Sequence, residues 1–199
     1  MFVQIIQARI KDEAAAEAAM QRWEQDLKPS AKGWLGTTRG RTADGELVTV
    51  VRFASEADAR ANSDRPEQGA WWEEFSKTLA GEATFFDSNE VDQFGKGGSD
   101  DAGFVQIMKG RATDKARMKE IDKKMEAATG DWRPDVIGGI TAWNGDDFAT
   151  VIYFTSEAEA RKGEAASADG EMKVLMDEMG SLMGDVTFID LTEPQLTSP

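Results

Sequence analysis

The sequence predicts an α+β fold made of two tandem β-α-β-β-α-β repeats. Three ordered matches carry that reading. Phe2-Val3-Gln4-Ile5 returns as Phe104-Val105-Gln106-Ile107, at an offset of 102. Phe53-Ala54-Ser55-Glu56-Ala57-Asp58-Ala59-Arg60 returns as Phe154-Thr155-Ser156-Glu157-Ala158-Glu159-Ala160-Arg161, at an offset of 101. Gly81, Thr84, Phe85 and Asp87 return as Gly184, Thr187, Phe188 and Asp190, at an offset of 103. A period near one hundred residues is too long for a solenoid unit and fits a duplicated domain. The expected division is repeat 1 at 1–94, a glycine-rich linker at 95–103, repeat 2 at 104–191 and a loose tail at 192–199.

Each element has its own signal. Phe2 to Arg9 reads as a strand of β-branched and aromatic residues. Lys11 to Lys28 reads as a helix, with Ala15, Ala19, Trp23 and Leu27 along one face; Pro29, Ser30 and Gly33 end it. Trp34 to Arg41 and Glu46 to Phe53 read as a hairpin around Asp44-Gly45, and Asn144-Gly145 marks the same place in repeat 2. Ser55 and Ser156 are placed to cap the next helix. Trp71, Phe75 and Leu79 continue the helical spacing. In repeat 2, Met172, Leu175, Met176, Met179 and Met183 do so. Ala83 to Asp92 and Asp185 to Leu191 read as the closing strands. This split β-α-β order is the ferredoxin-like motif. Its helices cover one sheet face and leave the other in need of a partner, which a second copy can supply.

Composition limits the chemistry. The 199 residues hold 23 Lys and Arg against 37 Asp and Glu, a formal charge of −14. Both halves are acidic, so nucleic acid is not an expected partner. There is no Cys and no His. That removes thiol catalysis, Cys or His metal and haem ligation, and Ser-His-Asp triads. No metal ligand set and no nucleotide-binding glycine fingerprint stands out, so no cofactor is expected. Nor is there an apolar run long enough for a membrane helix, or a signal-type leader. The expected location is the cytoplasm.

The β-α-β-β-α-β order and the Phe-x-Ser-Glu-Ala-x-Ala-Arg block together resemble the dimeric α/β-barrel superfamily, in the group around the antibiotic-biosynthesis monooxygenase domain. The resemblance covers nearly the whole chain, twice. It implies an intramolecular barrel, with tandem copies replacing the usual two chains. It also implies one of several activities: cofactor-independent oxygenation of quinols or polyketides, haem degradation, isomerisation, or ligand binding. Haem-degrading relatives use an axial His, which this chain lacks. Trp143-Asn144 does not sit at the position of the family's Asn–Trp pair. No catalytic residue is therefore carried over.

Strand alternation sorts the site candidates. It assigns Leu47, Thr49, Val51 and Phe53 to the helix side of their strand. It assigns Arg39 with Thr37 and Arg41, and Arg52 with Val48 and Val50, to the face turned from the helices. Tyr153 and Trp143 take the matching places in repeat 2. Gln4 and Gln106 are equivalent, and their face is open. These six (Arg39, Arg52, Tyr153, Trp143, Gln4 and Gln106) are the candidates for a small-molecule site. Arg would hold an anionic oxygen and Tyr would donate to an enolate or phenolate. Each also has a plain structural reading as a rim, core or ion-paired residue. The expected ligand is a small aromatic or planar acidic molecule, bound in only one of the two repeats. The function expected is a cofactor-independent monooxygenase or isomerase acting on an aromatic or polyketide-like molecule. The alternative is a non-enzymatic ligand-binding or stress-associated barrel. The chain would act as a monomeric pseudo-dimer or a higher homo-oligomer.

Overall fold

The computed structural model describes residues 1–129 and 133–199. It divides into two compact units, Met1–Asn89 with Gln195–Pro199, and Glu90–Pro194. The first contains β1 (Phe2–Arg9), α1 (Glu13–Arg22), β2 (Trp34–Arg41), β3 (Glu46–Phe53), α2 (Glu56–Ser63), α3 (Pro66–Ser76) and β4 (Thr84–Ser88). The second contains β5 (Glu90–Gly95), β6 (Phe104–Ala112), α4 (Lys115–Thr129), β7 (Val136–Asn144), β8 (Asp147–Phe154), α5 (Glu157–Ala165), α6 (Gly170–Leu182) and β9 (Met183–Thr197). The order is β4-β1-β3-β2 in the first and β9-β6-β8-β7-β5 in the second, where the pairing is antiparallel throughout. The end of β9, residues 195–197, belongs to the first unit and lies next to β2.

Local chemistry explains the elements. Asp12 caps α1 by accepting from the Ala15 amide at 3.0 Å. Ser55 and Ser156 accept from the Asp58 and Glu159 amides at 3.1 and 3.2 Å, as their sequence positions suggest. Gly45 and Gly145 take positive φ at the two hairpin turns, a conformation that a side chain would strain. α1 runs on through a π turn at Trp23–Leu27 and a 3-10 turn at Lys28–Ser30. Its buried face is Ala16, Ala19, Met20 and Leu27 rather than one through Ala15, which is exposed. The π turn inserts a residue, so a strict spacing of four does not hold through it.

Two further expectations change. The closing strand of repeat 1, read as one run over Ala83 to Asp92, is two strands broken at Asn89. The residues from Thr192 onward, read as a loose tail, extend β9 to Thr197.

In each unit the helices cover one sheet face. Ala8, Ala16, Ala19, Met20, Leu47, Phe75 and Leu79 form one core cluster, and Phe2, Trp34, Phe53 and Ala59 another. The second unit repeats the arrangement with Met118, Ile121, Trp143, Phe148, Leu175 and Met179, and with Phe104, Phe154 and Ala160. The face of β1 and β3 turned from the helices carries Val3, Ile5, Val48 and Val50, all buried.

One irregularity decides which residues see the helices. The β2–β3 register slips between Trp34 and Gly36, and the β7–β8 register slips between Val136 and Gly138. Each is a one-residue bulge, which inverts the inward and outward sense of the rest of the strand. Glycine follows each bulged residue for a steric reason. A Cβ on Gly138 would stand 2.5 Å from the Lys96 amide nitrogen and 2.8 Å from the Phe94 carbonyl oxygen, both backbone atoms. Gly138→Ala should therefore destabilise the protein by roughly 2 kcal/mol or more in urea unfolding. Gly69, on the surface of α3 with open space around it, is the control, and Gly69→Ala should be neutral or stabilising.

Candidate functional site

A cavity of about 600 Å³ lies in the first unit, between the sheet and its helices. Its walls are aromatic: Trp23, Trp34, Trp71, Trp72, Phe75 and Phe85 all line it. Trp23 meets Trp34 edge-on with ring centres 5.9 Å apart, and Trp71 stacks on Phe75 at 5.2 Å. The indole N–H groups are used inside the wall. Trp23 donates to Gln68 Oε1 at 2.9 Å, Trp34 to Thr37 Oγ1 at 3.0 Å, and Trp71 to the Ala19 carbonyl at 2.7 Å. The rings are thus fixed in place.

The cavity floor is built from rows of side chains running across the strands. One row is Asp87, Gln4, Val51 and Thr37. The next is Phe85, Ile6, Thr49 and Arg39. Gln4 Nε2 donates to Asp87 Oδ1 at 2.9 Å. Arg39 is mostly buried, with 13% of its side chain exposed. It lies 3.6 Å from Glu17 and 3.5 Å from Glu24, and its Nε donates to Gln195 Oε1. Gln195 and Thr197, from the end of β9, complete the wall. The site thus offers flat apolar surface, with the exposed carboxylate of Asp87 and the guanidinium of Arg39 on its floor and Glu24, Glu56, Arg60 and Asp64 also on its walls. A planar molecule carrying an acidic or carbonyl oxygen matches that set.

The six sequence candidates divide. Gln4 and Arg39 line the cavity. Arg52 was expected to share a face with Arg39, and it does not. The bulge turns Thr37, Arg39 and Arg41 to the helix side, while Arg52 pairs with Val3 and Gly36 on the other face. Arg52 is 7% exposed, and its Nε makes no hydrogen bond among the described residues. Tyr153, Trp143 and Gln106 belong to the second unit. Tyr153 is fully buried on the face turned from the helices, opposite Val105 and Gly138. Trp143, read from sequence as sharing that face, is instead turned to the helices by the second bulge and packs in the core against Phe148. Gln106 donates to Asp190 at 2.9 Å and Glu164 at 3.1 Å. Within the aromatic wall, Trp23, Trp71 and Phe75 were read only as positions on helix faces. Its six aromatic rings come from four different elements, and only the sheet register shows that.

The second unit carries the same floor with different residues. Asp190, Gln106, Ile152 and Gly139 form one row, and Phe188, Met108, Thr150 and Thr141 the next. The Gln–Asp pair is kept. Where the first unit has Arg39, Arg41 and Leu47, the second has Thr141, Trp143 and Phe148. Thr141 and Thr150 hydroxyls bond each other at 3.1 Å in the interior. Strand β5 then lays Asp92 beside Thr141 and Phe94 beside Gly139.

Comparison with solved structures supports this architecture. The chain superposes on a candidate monooxygenase from Lactobacillus acidophilus with a TM-score of 0.74 at 11% identity, covering 99% of this chain and 95% of that one. It superposes on a candidate monooxygenase from Fusobacterium nucleatum with a TM-score of 0.77 at 10% identity, covering 99% and 94%. An anthrone oxidase-like protein gives 0.67 at 9% identity, covering 99% and 92%. The duplicated α+β fold is therefore shared with these three proteins. No protein-family model matches the chain, and no curated protein does. Among the described residues, no helix is long and apolar enough to cross a membrane.

Charged groups near the two floors differ. Arg161 bonds Asp190 directly, and also Glu157 and Glu164, at 3.3 and 3.0 Å. The bonds to Asp190 first and then to Glu164 raise the pKa of Arg161 further, against loss of surrounding water. Its repeat-1 counterpart Arg60 is exposed and bonds only Glu56 among these acids, leaving Asp87 without that clamp. Arg161→Ala should lower stability by roughly 1 kcal/mol in chemical denaturation, water screening the rest. Arg60→Ala should change it little.

On α4, outside both floors, the Asp122 carboxyl is pushed up to about 6, first by loss of surrounding water, then by Asp92 and Glu126, with Lys119 opposing. Asp122 keeps an exposed side, so solvent reduces the consequence. A raised carboxylate pKa penalises the folded state once the group ionises. The penalty is absent below about pH 4, where both states are protonated, and full above about pH 6. Asp122→Asn should raise the melting temperature at pH 8, and the gain should vanish by pH 4.

Proposed function

We propose that the cavity of the first unit binds a planar aromatic or polyketide-like molecule and oxygenates it without a cofactor. The observation that carries this is the pairing of aromatic walls with the Asp87–Gln4 row and Arg39 on one floor. Asp87 would take a proton from an acidic C–H or O–H of the ligand. Arg39 and the Gln4 amide would donate to the oxygen that gains the charge, a stabilisation effective where water is scarce. The electron-rich carbanion or phenolate would then reduce O₂ directly. For an anthrone, the ring C–H proton goes to Asp87 and the carbanion adds O₂. The peroxide anion takes the proton back from Asp87, and the hydroperoxide so formed loses water to leave the quinone. One O₂ is consumed and one water is released, with no other oxidant. The likeness to an anthrone oxidase-like protein makes this a fitting first substrate.

A second reading, as a holding protein, has its own support. Arg39 already lies between Glu17 and Glu24, so its charge is balanced before any ligand arrives.

Anthrone should quench tryptophan fluorescence and drive O₂ uptake with formation of anthraquinone. Asp87→Asn should cut turnover by about 100-fold while keeping the quench. Arg39→Ala should weaken binding about tenfold. Quenching with no O₂ uptake would support the holding protein. The absence of both would overturn the cavity as an aromatic site.

A further inference from the structure

We infer that the second unit holds a site of the same kind, closed by the ring of Phe94. The inference rests on the reading of the first cavity as a ligand site. Phe94 stands opposite Gly139 in the β5–β7 ladder, so both project to one face. That face is the helix side, because Gly139 shares its row with Ile152 and Gln106. A Cβ on Gly139 would fall 2.3 Å from Phe94 Cζ and 2.7 Å from Cε1. The far edge of the ring therefore lies against the glycine, at the place that Thr37 takes in the first unit.

The position equivalent to Phe94 in the first unit is Thr197, which lines the open cavity. Asp92 and Gln195 correspond in the same way: Asp92 pairs with Thr141, and Gln195 bonds Arg39, the equivalent of Thr141. The strand added beside β2 or β7 thus supplies a small hydroxyl residue in one unit and a phenyl ring in the other. In the same cross-strand row as Gly139 the Gln106–Asp190 pair persists, part-buried and bonded also by Glu164 and Arg161. A polar pair and an apolar ring in one row are the outline of a site whose occupant is part of the chain. The chemistry it fits is a single aromatic ring with an acidic oxygen, a phenol in its simplest form.

The test is calorimetric titration of the full chain with 2-naphthol, a planar phenol. Phe94→Thr should raise the number of sites per chain by one over the wild type, whatever the wild-type number is. Thr197→Phe should remove the wild-type site. Phe94→Leu carries the same expectation as Phe94→Thr and replaces it if threonine prevents folding. A folded Phe94 variant with unchanged stoichiometry would overturn the inference. A wild type that binds no naphthol, with a Phe94 variant that binds one, would instead refute the first cavity and keep the second.

Discussion

The bulges at Leu35 and Ile137 set the terms for the rest of the molecule. Side chains on a strand alternate, so one extra residue exchanges the two faces of everything that follows. In the first unit this brings Thr37 and Arg39 under the helices and sends Arg52 to the opposite face. In the second it buries Trp143 against Phe148. The device depends on glycine at positions 36 and 138, because neighbouring backbone and the Arg52 guanidinium fill the volume that a Cβ would need. Two glycines thus decide which functional groups meet the cavity.

Duplication has allowed the two floors to diverge while the frame stays fixed. The Gln–Asp pair, the capping serines and the strand order are shared. The differences concentrate on β2 against β7 and on the strand beside each. In the second unit, Arg161 reaches Asp190 and its charge is absorbed in a network with Glu157 and Glu164. In the first, Arg60 stays with Glu56, and Asp87 takes the Gln4 amide instead of a guanidinium. A homodimer would repeat each substitution at both sites; a tandem chain can vary one alone.

Much of the fold was legible because repeats and turns are local signals. The matched Phe-Val-Gln-Ile blocks, the Ser caps and the two glycine turns each report on a few adjacent residues, and they located the elements well. The site was less legible. Strict alternation from Trp34 would put Thr37 and Arg39 on the wrong face, since the bulge at Leu35 leaves no mark beyond the glycine after it. Trp71 and Phe75 fit the spacing of a packed helix, and they do pack; that they also wall a cavity depends on strands far away in sequence. The breaks in regularity, at Asn89 and in the π turn of α1, also escaped periodic reasoning. Gln4 and Asp87 were each visible as repeated residues, but their contact is a product of the β1–β4 register.

The end of β9 has a consequence in time. Arg39 meets Gln195 across a separation of 156 positions. At ribosomal rates of roughly 5 to 20 residues per second, Arg39 is made roughly 8 to 30 s before its partner. During that interval the outer edge of β2 has no strand beside it, and unpaired edges are where nascent chains associate wrongly. The second unit has no such wait, since β5 precedes β7 in the chain. The half that carries the open cavity is thus begun first and completed last.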